Sequence, residues 1–174
     1  MKSFAELAEL RRSVRAYREE EVPEALVLKV LDTARKAPSA CNKQPWRFVV
    51  VRGEEQRRKL GLAYSREWFW KAPVVVAVCV VKGEAWVRGQ DGANYGMVDG
   101  AIAMDHLTLA AAEEGLGTCW IGAFDPATAR SVLGLPEGVD IVAMTPLGWP
   151  DANEARRERT RRALADNVMW ERWG

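Results

Sequence analysis

The chain has 174 residues, of which 48% are hydrophobic and 28% charged, and its formal net charge is +1. This length predicts one domain, residues 1–174, while the balanced charge gives no reason to expect nucleic acid and the longest apolar run, 72–81, is too short to span a bilayer. Three scattered cysteines and one histidine indicate neither a disulfide framework nor a metal site, and with no apolar signal segment at the start we expect a cytoplasmic protein.

Capping residues and apolar spacing predict the elements of the first half. Ser3 and Glu6 form a capping box that begins a helix over 3–11. A second helix is predicted over 23–36 and is ended by Pro38. Strands are predicted over 48–51 and 73–81, with a helix over 54–62 between them. The continuous valine run of the second strand indicates burial on both faces.

The second half is predicted to contain the longest helix, over 99–114, which is apolar over most of its circumference and ends at Gly115. A single small domain rarely encloses such a helix, so we expect it at the core of a dimer. A short helix over 126–133, capped by Gly134, and a strand over 141–145 follow. Strands alternating with helices would by themselves favour a parallel doubly wound sheet.

The segment Arg11-Arg12-Ser13-Val14-Arg15 places three guanidiniums and a hydroxyl within five residues. That combination suits a phosphate dianion, which accepts charge-assisted and partly bidentate hydrogen bonds. The alternative is a solvated helix end, where cations are favoured by the helix dipole. Taken alone, this segment does not decide between the two.

A second polar segment, 38–46, has the sequence PSACNKQPW. The amides of Asn42 and Gln44 can both donate and accept, so they can bind the edge of a heterocycle. Pro38 and Pro45 are expected to hold the loop extended. The alternative is that the amides only satisfy backbone groups of the loop. We expect Cys41 to be a small packing residue rather than a redox-active thiol.

Two further segments, GLGTCWIG at 115–122 and PLGWP at 146–150, precede an arginine-rich tail that ends in WERWG. In this order and spacing the motifs resemble the nitroreductase family of FMN-dependent oxidoreductases, and they cover nearly the whole chain. The resemblance implies an α+β fold, an α/β sandwich in which helices flank a central mixed, largely antiparallel sheet. It also implies a homodimer that exchanges C-terminal arms and holds its FMN sites at the subunit interface.

The resemblance assigns the site residues. Arg11, Arg12 and Ser13 would hold the FMN phosphate and ribityl chain, and Arg15 would lie near the pyrimidine side of the ring, where a cation raises the reduction potential. In the tail, Arg159 and Arg161 would close on the phosphate. Five arginines of the tail are candidates for these two positions: Arg156, Arg157, Arg159, Arg161 and Arg162. The partner's polar loop would contribute Pro38, Ser39, Asn42 and Gln44. The backbone of Gly122 and Ala123 would lie against the ring, because the absence of bulky side chains permits close approach.

The implied activity is hydride transfer from NAD(P)H through FMN to an acceptor such as a nitroaromatic or quinone, by a ping-pong mechanism. The alternatives are a specialised dehalogenase or flavin-processing enzyme, and a non-catalytic FMN sensor or store. Trp86 and Tyr95 lie in a glycine-rich segment, 82–96, where we expect substrate specificity and either an open site or a mobile segment. That segment is too short to form the lid of the deiodinases. We assign no role to His106.

Overall fold

The computed structural model describes residues 2–154 and 159–173. Its helices are α1 (Phe4–Leu10), α2 (Glu24–Ala34), α3 (Glu54–Leu60), α4 (Glu67–Lys71), α5 (Gly96–Glu113) and α6 (Pro126–Leu133). Its strands are β1 (Trp46–Val51), β2 (Val74–Val81), β3 (Gly117–Thr118) and β4 (Val139–Gly148). Short 3-10 turns lie at Ala40–Asn42, Lys82–Glu84 and Leu164–Asp166. None of the helices among these residues is long and apolar enough to cross a membrane.

The four strands form one sheet in the order β1-β2-β4-β3, and every neighbouring pair is antiparallel. The predicted α+β class and largely antiparallel sheet are therefore confirmed, and the parallel doubly wound alternative does not apply. A parallel bridge between Ser13 and Thr118 adds the residues after α1 to the sheet edge. The central strand β2 is buried on both faces, as its valine run predicted.

Alternate residues of β2 face two separate layers of helices. Val74, Val76 and Val78 pack with α2 and α5 on one face. Val75, Ala77 and Cys79 pack with residues of α3, α4 and α6 on the other face. This sandwich leaves the edges of the sheet, and the loops that follow its strands, free to carry a site.

Several predicted bounds shift. The long helix begins at Gly96 rather than at residue 99, and the last strand extends over Val139–Gly148, through Pro146, a residue type that a sequence pattern treats as a strand end. Two elements were not predicted. Helix α4 has only five residues, three of them aromatic, and β3 is the dipeptide Gly-Thr. Neither element is long enough for its sequence to show the periodicity of a helix or a strand.

Helix α5 is only partly enclosed by its own chain. Its sheet-facing side is buried, while Val98 and Asp105 are exposed and Ile102 and Leu109 are half-buried. These four positions follow helical spacing and form one stripe. The expectation that α5 lies at a dimer core therefore applies to this stripe alone.

Replacing Gly100 by valine is expected to reduce the free energy of unfolding by about 2 kcal/mol, because overpacking outweighs the small gain in helix propensity. A Cβ atom at Gly100 would lie 2.5 Å from Val142 Cγ2 and 2.8 Å from Val80 Cγ1. Urea unfolding measures the difference. Gly89→Val is the control, since a Cβ there meets no atom within 4 Å. Equal stabilities of the two variants would contradict this close packing of α5 on the sheet.

Candidate active site

The arginine segment begins where α1 ends. Ser3 and Glu6 form the predicted capping box, with the Ser3 N–H donating to Glu6 at 2.6 Å, and the helix ends at Leu10 with Arg11 as its C-cap. The chain beyond is extended, and the Val14 N–H donates to the Thr118 carbonyl at 2.8 Å. Arg12, Ser13 and Arg15 are therefore held along the sheet edge and are not part of a helix end.

A glycine allows this close contact. A Cβ atom at Gly117 would lie 2.9 Å from three side-chain carbons of Val14, which is itself buried. Any other residue at position 117 would push the arginine segment away from β3. Gly117, in the segment GLGTCWIG, thus allows the arginine segment to lie directly against β3.

The three cations of this segment have different surroundings. Arg12 is paired with Glu154, whose side chain is only 8% exposed and which also accepts the Arg15 N–H. Arg11 has a buried Nε with no partner among the described residues. Within that part of the chain, neither Arg11 nor Arg15 forms a side-chain ion pair. The charge available to an anionic ligand is therefore that of Arg11 and Arg15.

Glu154 reaches this position because two chain segments run side by side. The Arg18 N–H donates to the Trp149 carbonyl at 2.9 Å, and the Asp151 N–H donates to the Ala16 carbonyl at 3.0 Å. Sequence reasoning missed Glu154, since an isolated glutamate before an arginine-rich tail gives no local signal. Only the pairing of residues 139 positions apart identifies it.

Tyr17 also belongs to this cluster and was not predicted. Its hydroxyl donates to the Val14 carbonyl at 2.7 Å, and burial raises the pKa of the phenol well above its usual range. Burial likewise raises the pKa of Cys119, and that of Cys79 to about 11. These groups stay protonated at neutral pH and supply no reactive anion.

The tail contributes one of its two predicted arginines. The Arg159 guanidinium donates to the carbonyls of Arg11 and Glu9 and lies 3.4 Å from the Glu9 carboxylate. Arg161 is exposed and, among the described residues, bonds only the adjacent Thr160 carbonyl, at 3.0 Å. The structure thus brings Arg159, and not Arg161, to the arginine segment. Two of the competing residues, Arg156 and Arg157, lie outside the described residues.

The polar loop differs from its prediction. Ser39, next to the exposed Pro38, is extended, but Ala40–Asn42 is a 3-10 turn, and Cys41, Asn42 and Gln44 have positive φ angles of 49°, 52° and 49°. The expectation that the flanking prolines hold the loop extended is therefore wrong. Local hydrogen bonds set the turn, because the Gln44 N–H donates to Ser39 Oγ at 2.9 Å and the Gln44 amide donates to Asn42 Oδ1 at 3.0 Å.

The arginine segment and the polar loop lie at different places along α5. Asp99 in its first turn contacts the loop through Ala40, whereas Thr108 lines a small pocket with Arg11, Arg12 and Ser13. Nine residues of helix separate these two positions by about 14 Å. No hydrogen bond between described residues joins the segment to the loop, so one chain does not bring the two predicted groups together.

Gly122 and Ala123 form the third predicted part and lie on an exposed turn. The preceding residue, Ile121, pairs with Met144 through N–H···O bonds of 2.8 and 3.0 Å, which fixes the turn against β4. A Cβ atom at Gly122 would meet no atom within 4 Å. The backbone there is open, and the contact of Gly122 and Ala123 with a flat ligand stays a prediction.

Comparison with known proteins identifies the family of this chain. The family model described as the nitroreductase family matches residues 8–68 and 62–149. The chain belongs to the nitroreductase family. A nitroreductase family protein from Clostridium difficile has the same fold, with a TM-score of 0.90 and 34% identity over 99% of this chain and 100% of that chain. The predicted family and its oxidoreductase class are confirmed.

Similar proteins have several activities among them. One from Methanothermobacter thermautotrophicus, provisionally named an NADH dehydrogenase/NAD(P)H nitroreductase, is 33% identical over 97% of this chain and 86% of its own length. FMN reductase [NAD(P)H] from Bacillus subtilis is 29% identical over 85% of this chain and 66% of its length. A 5,6-dimethylbenzimidazole synthase from Rhodospirillum rubrum and an iodotyrosine deiodinase from Thermotoga neapolitana are 31% and 26% identical.

In this nitroreductase family member the glycine-rich segment, 82–96, contains a hairpin. Val87 and Asn94 form an antiparallel bridge, and the Tyr95 N–H donates to the Trp86 carbonyl at 2.9 Å. The rings of Trp86 and Tyr95 meet edge to face with centroids 5.0 Å apart, and Arg88 donates to the Tyr95 hydroxyl at 2.9 Å. The two aromatic residues therefore pack against each other.

Proposed function

We propose that this protein is an FMN-dependent oxidoreductase, with a single FMN-binding domain over residues 1–174, that passes hydride from NAD(P)H to a nitroaromatic or quinone acceptor by a ping-pong mechanism. The predicted cofactors, FMN and NAD(P)H, are confirmed by relatives that are named for them. The observation that carries the proposal is the buried Nε of Arg11, which has no partner in the described part of the chain and lies beside Arg12 and Ser13.

The residues at this position fit the phosphate end of FMN. A buried guanidinium nitrogen without an acceptor is costly, and a phosphate oxygen would satisfy it with a charge-assisted hydrogen bond. The Ser13 hydroxyl and the Arg12 guanidinium line the same pocket. Arg159, which bonds the Arg11 carbonyl, adds a further cation from the tail.

The other site residues act on the ring of the cofactor. When bound, FMN supplies the redox chemistry, because its ring takes up a hydride and passes the electrons on. Arg15 places a cation near the pyrimidine side, and the turn at Gly122 and Ala123 offers open backbone to the ring. From a second subunit, Ser39 and Asn42 contact the ring edge and ribityl chain, with Gln44 supporting the loop.

The apolar side chains that one chain leaves uncovered support a homodimer with exchanged arms. Leu164, Trp170 and Trp173 in the tail are 78%, 83% and 87% exposed. The stripe on α5 is exposed or half-buried as well. Large apolar side chains in this number indicate an interface, since a monomer in water would leave them unburied. The same assembly would bring one chain's polar loop to the other chain's arginine segment.

Deleting residues 163–174 is expected to remove both the dimer and most of the FMN affinity, because the aromatic tail would no longer cover the partner. Sedimentation measures the assembly, and FMN fluorescence titration measures the affinity. The control is Leu62→Ser, which replaces an apolar residue that is 75% exposed on another surface. A truncated chain that is still dimeric and still binds FMN would reject the exchanged arm.

The specialised reactions remain the second candidate, favoured by the similarity to the deiodinase and to the 5,6-dimethylbenzimidazole synthase. The hairpin weighs against a deiodinase, since it is short and its aromatic rings pack on each other. Steady-state oxidation of NADH and NADPH, with and without a quinone or nitroaromatic, separates the possibilities. Turnover stimulated by the acceptor supports the proposal, whereas FMN binding without it favours a sensor or store. The cytoplasmic location stays a prediction.

A further inference from the structure

Asp99 is the least exposed carboxylate near the polar loop. It lies in the first turn of α5 and is 1% exposed. Its Oδ1 accepts the Ala40 N–H at 2.9 Å, while its Oδ2 is buried and has no partner among the described residues. No local sequence signal marks this residue, and the proposed cofactor contacts do not include it.

The loop that Asp99 contacts has a backbone that its sequence disfavours. Three non-glycine residues, Cys41, Asn42 and Gln44, have positive φ angles within four positions. Such conformations persist only where the surrounding structure enforces them. Two of the bonds that hold the loop, from Gln44 to Ser39 and to Asn42, lie within the loop itself.

Asp99 connects the strained part of the loop to α5. At the end of the polar segment, the Pro45 carbonyl accepts the Val81 N–H at 2.8 Å, so that end is held on β2 independently of Asp99. Within the described residues, the bond from Ala40 to Asp99 is the one hydrogen bond that joins residues 39–44 to another element. A carboxylate acceptor makes this bond stronger than an amide or carbonyl would, since charge-assisted bonds are about twice as strong as neutral ones. Because α5 is packed on the sheet at Gly100, it offers the loop a rigid anchor.

We propose that Asp99 is a positioning residue that holds the strained loop in the conformation that binds FMN. This inference rests on the proposed function, because it is the FMN contacts of Ser39 and Asn42 that give the loop its purpose. Asp99 itself touches neither cofactor nor substrate in this account. It acts by raising the fraction of molecules whose loop is ready to bind.

Asp99→Ala is expected to raise the FMN dissociation constant of the full chain about tenfold, because apparent affinity falls with the fraction of competent molecules. Hydrogen exchange of the peptide over 38–46 should become faster in the same variant, with or without FMN. Asp99→Asn retains an acceptor oxygen and should stay within about threefold of the wild-type affinity. Thermal unfolding confirms that each variant is folded.

A second substitution distinguishes positioning of the loop from a general role in α5. Cys41→Gly removes the strain at one left-handed residue, so in the Asp99→Ala background it should recover most of the lost affinity. Cys41→Ser, which keeps the Cβ atom and a side chain of similar size, is the matched control and should recover none. If Asp99→Ala fails to fold, Ala40→Pro removes the N–H donor while leaving Asp99 in place, and the extended Ser39 suits a following proline.

The outcomes separate this inference from the proposed function. A wild-type chain that does not bind FMN rejects the function, and the inference fails with it. Wild-type binding with unchanged affinity in Asp99→Ala, and in Ala40→Pro, rejects the inference alone. Loss of affinity that Cys41→Gly does not recover would show that Asp99 stabilises α5 and does not position the loop.

Discussion

Replacing Arg11 by alanine is expected to raise the FMN dissociation constant roughly ten- to a hundredfold, since a charge-assisted bond to a buried group is worth about 1.5 to 3 kcal/mol. The buried Nε of Arg11 has no partner within residues 2–154 and 159–173, and its guanidinium forms no ion pair with those residues that the substitution would break. The effect should therefore appear in FMN binding and not in the stability of the free protein. Fluorescence titration of the free protein and its thermal unfolding measure the two quantities.

Arg35→Ala is the matched control. It removes the same charge from the end of α2, where Arg35 is exposed and paired with Asp32. Its FMN affinity should equal that of the wild type. Wild-type FMN affinity in both variants would reject the phosphate site at the end of α1. Comparable losses of affinity in both variants would indicate a nonspecific effect of net charge.

Replacing Arg15 by glutamine is expected to lower the reduction potential of the bound flavin. Its guanidinium forms no ion pair within the described residues, so its charge is not already neutralised. A charge a few ångströms from the ring is worth roughly 1.4 to 4 kcal/mol, or about 30 to 90 mV for a two-electron couple. Reduction by NAD(P)H should slow even in fully loaded enzyme, because the cation acts on charge that develops during reduction.

Spectroelectrochemistry and stopped-flow reduction of loaded variants test this expectation. Arg12→Gln is the comparison, since Arg12 is paired with Glu154 and its loss removes a cation whose field is already partly cancelled. The potential should fall further in the Arg15 variant than in the Arg12 variant. An unchanged potential after loss of Arg15 would reject its role at the ring, while the fold and the family would stand.

The sequence predicted those features that depend on neighbouring residues. The capping box of Ser3 and Glu6, the valine run of β2 and the glycine after α6 act over a few positions, and each is found where expected. The order of the motifs then identified the family, whose sheet is antiparallel although the alternation of elements favours a parallel one. Local signals alone do not encode strand order.

The features that the sequence did not predict depend on contacts between distant residues. Glu154 meets Arg12 across 142 positions, and Asp99 meets Ala40 across 59. The left-handed turn at Cys41 and Asn42 could not be inferred from prolines, because side-chain bonds and the anchor on α5 decide it. Likewise, the choice of Arg159 over Arg161 depends on which arginine reaches the Arg11 carbonyl.

The cofactor released by the purified protein tests the central claim most directly. We expect a yellow protein that releases FMN on denaturation, in a ratio close to one per chain, and no FAD, since an adenylate group would have to pass through the cations at the end of α1. Chromatography of the released flavin measures both identity and amount. A colourless protein that does not take up added FMN, or one that releases FAD, would contradict the account.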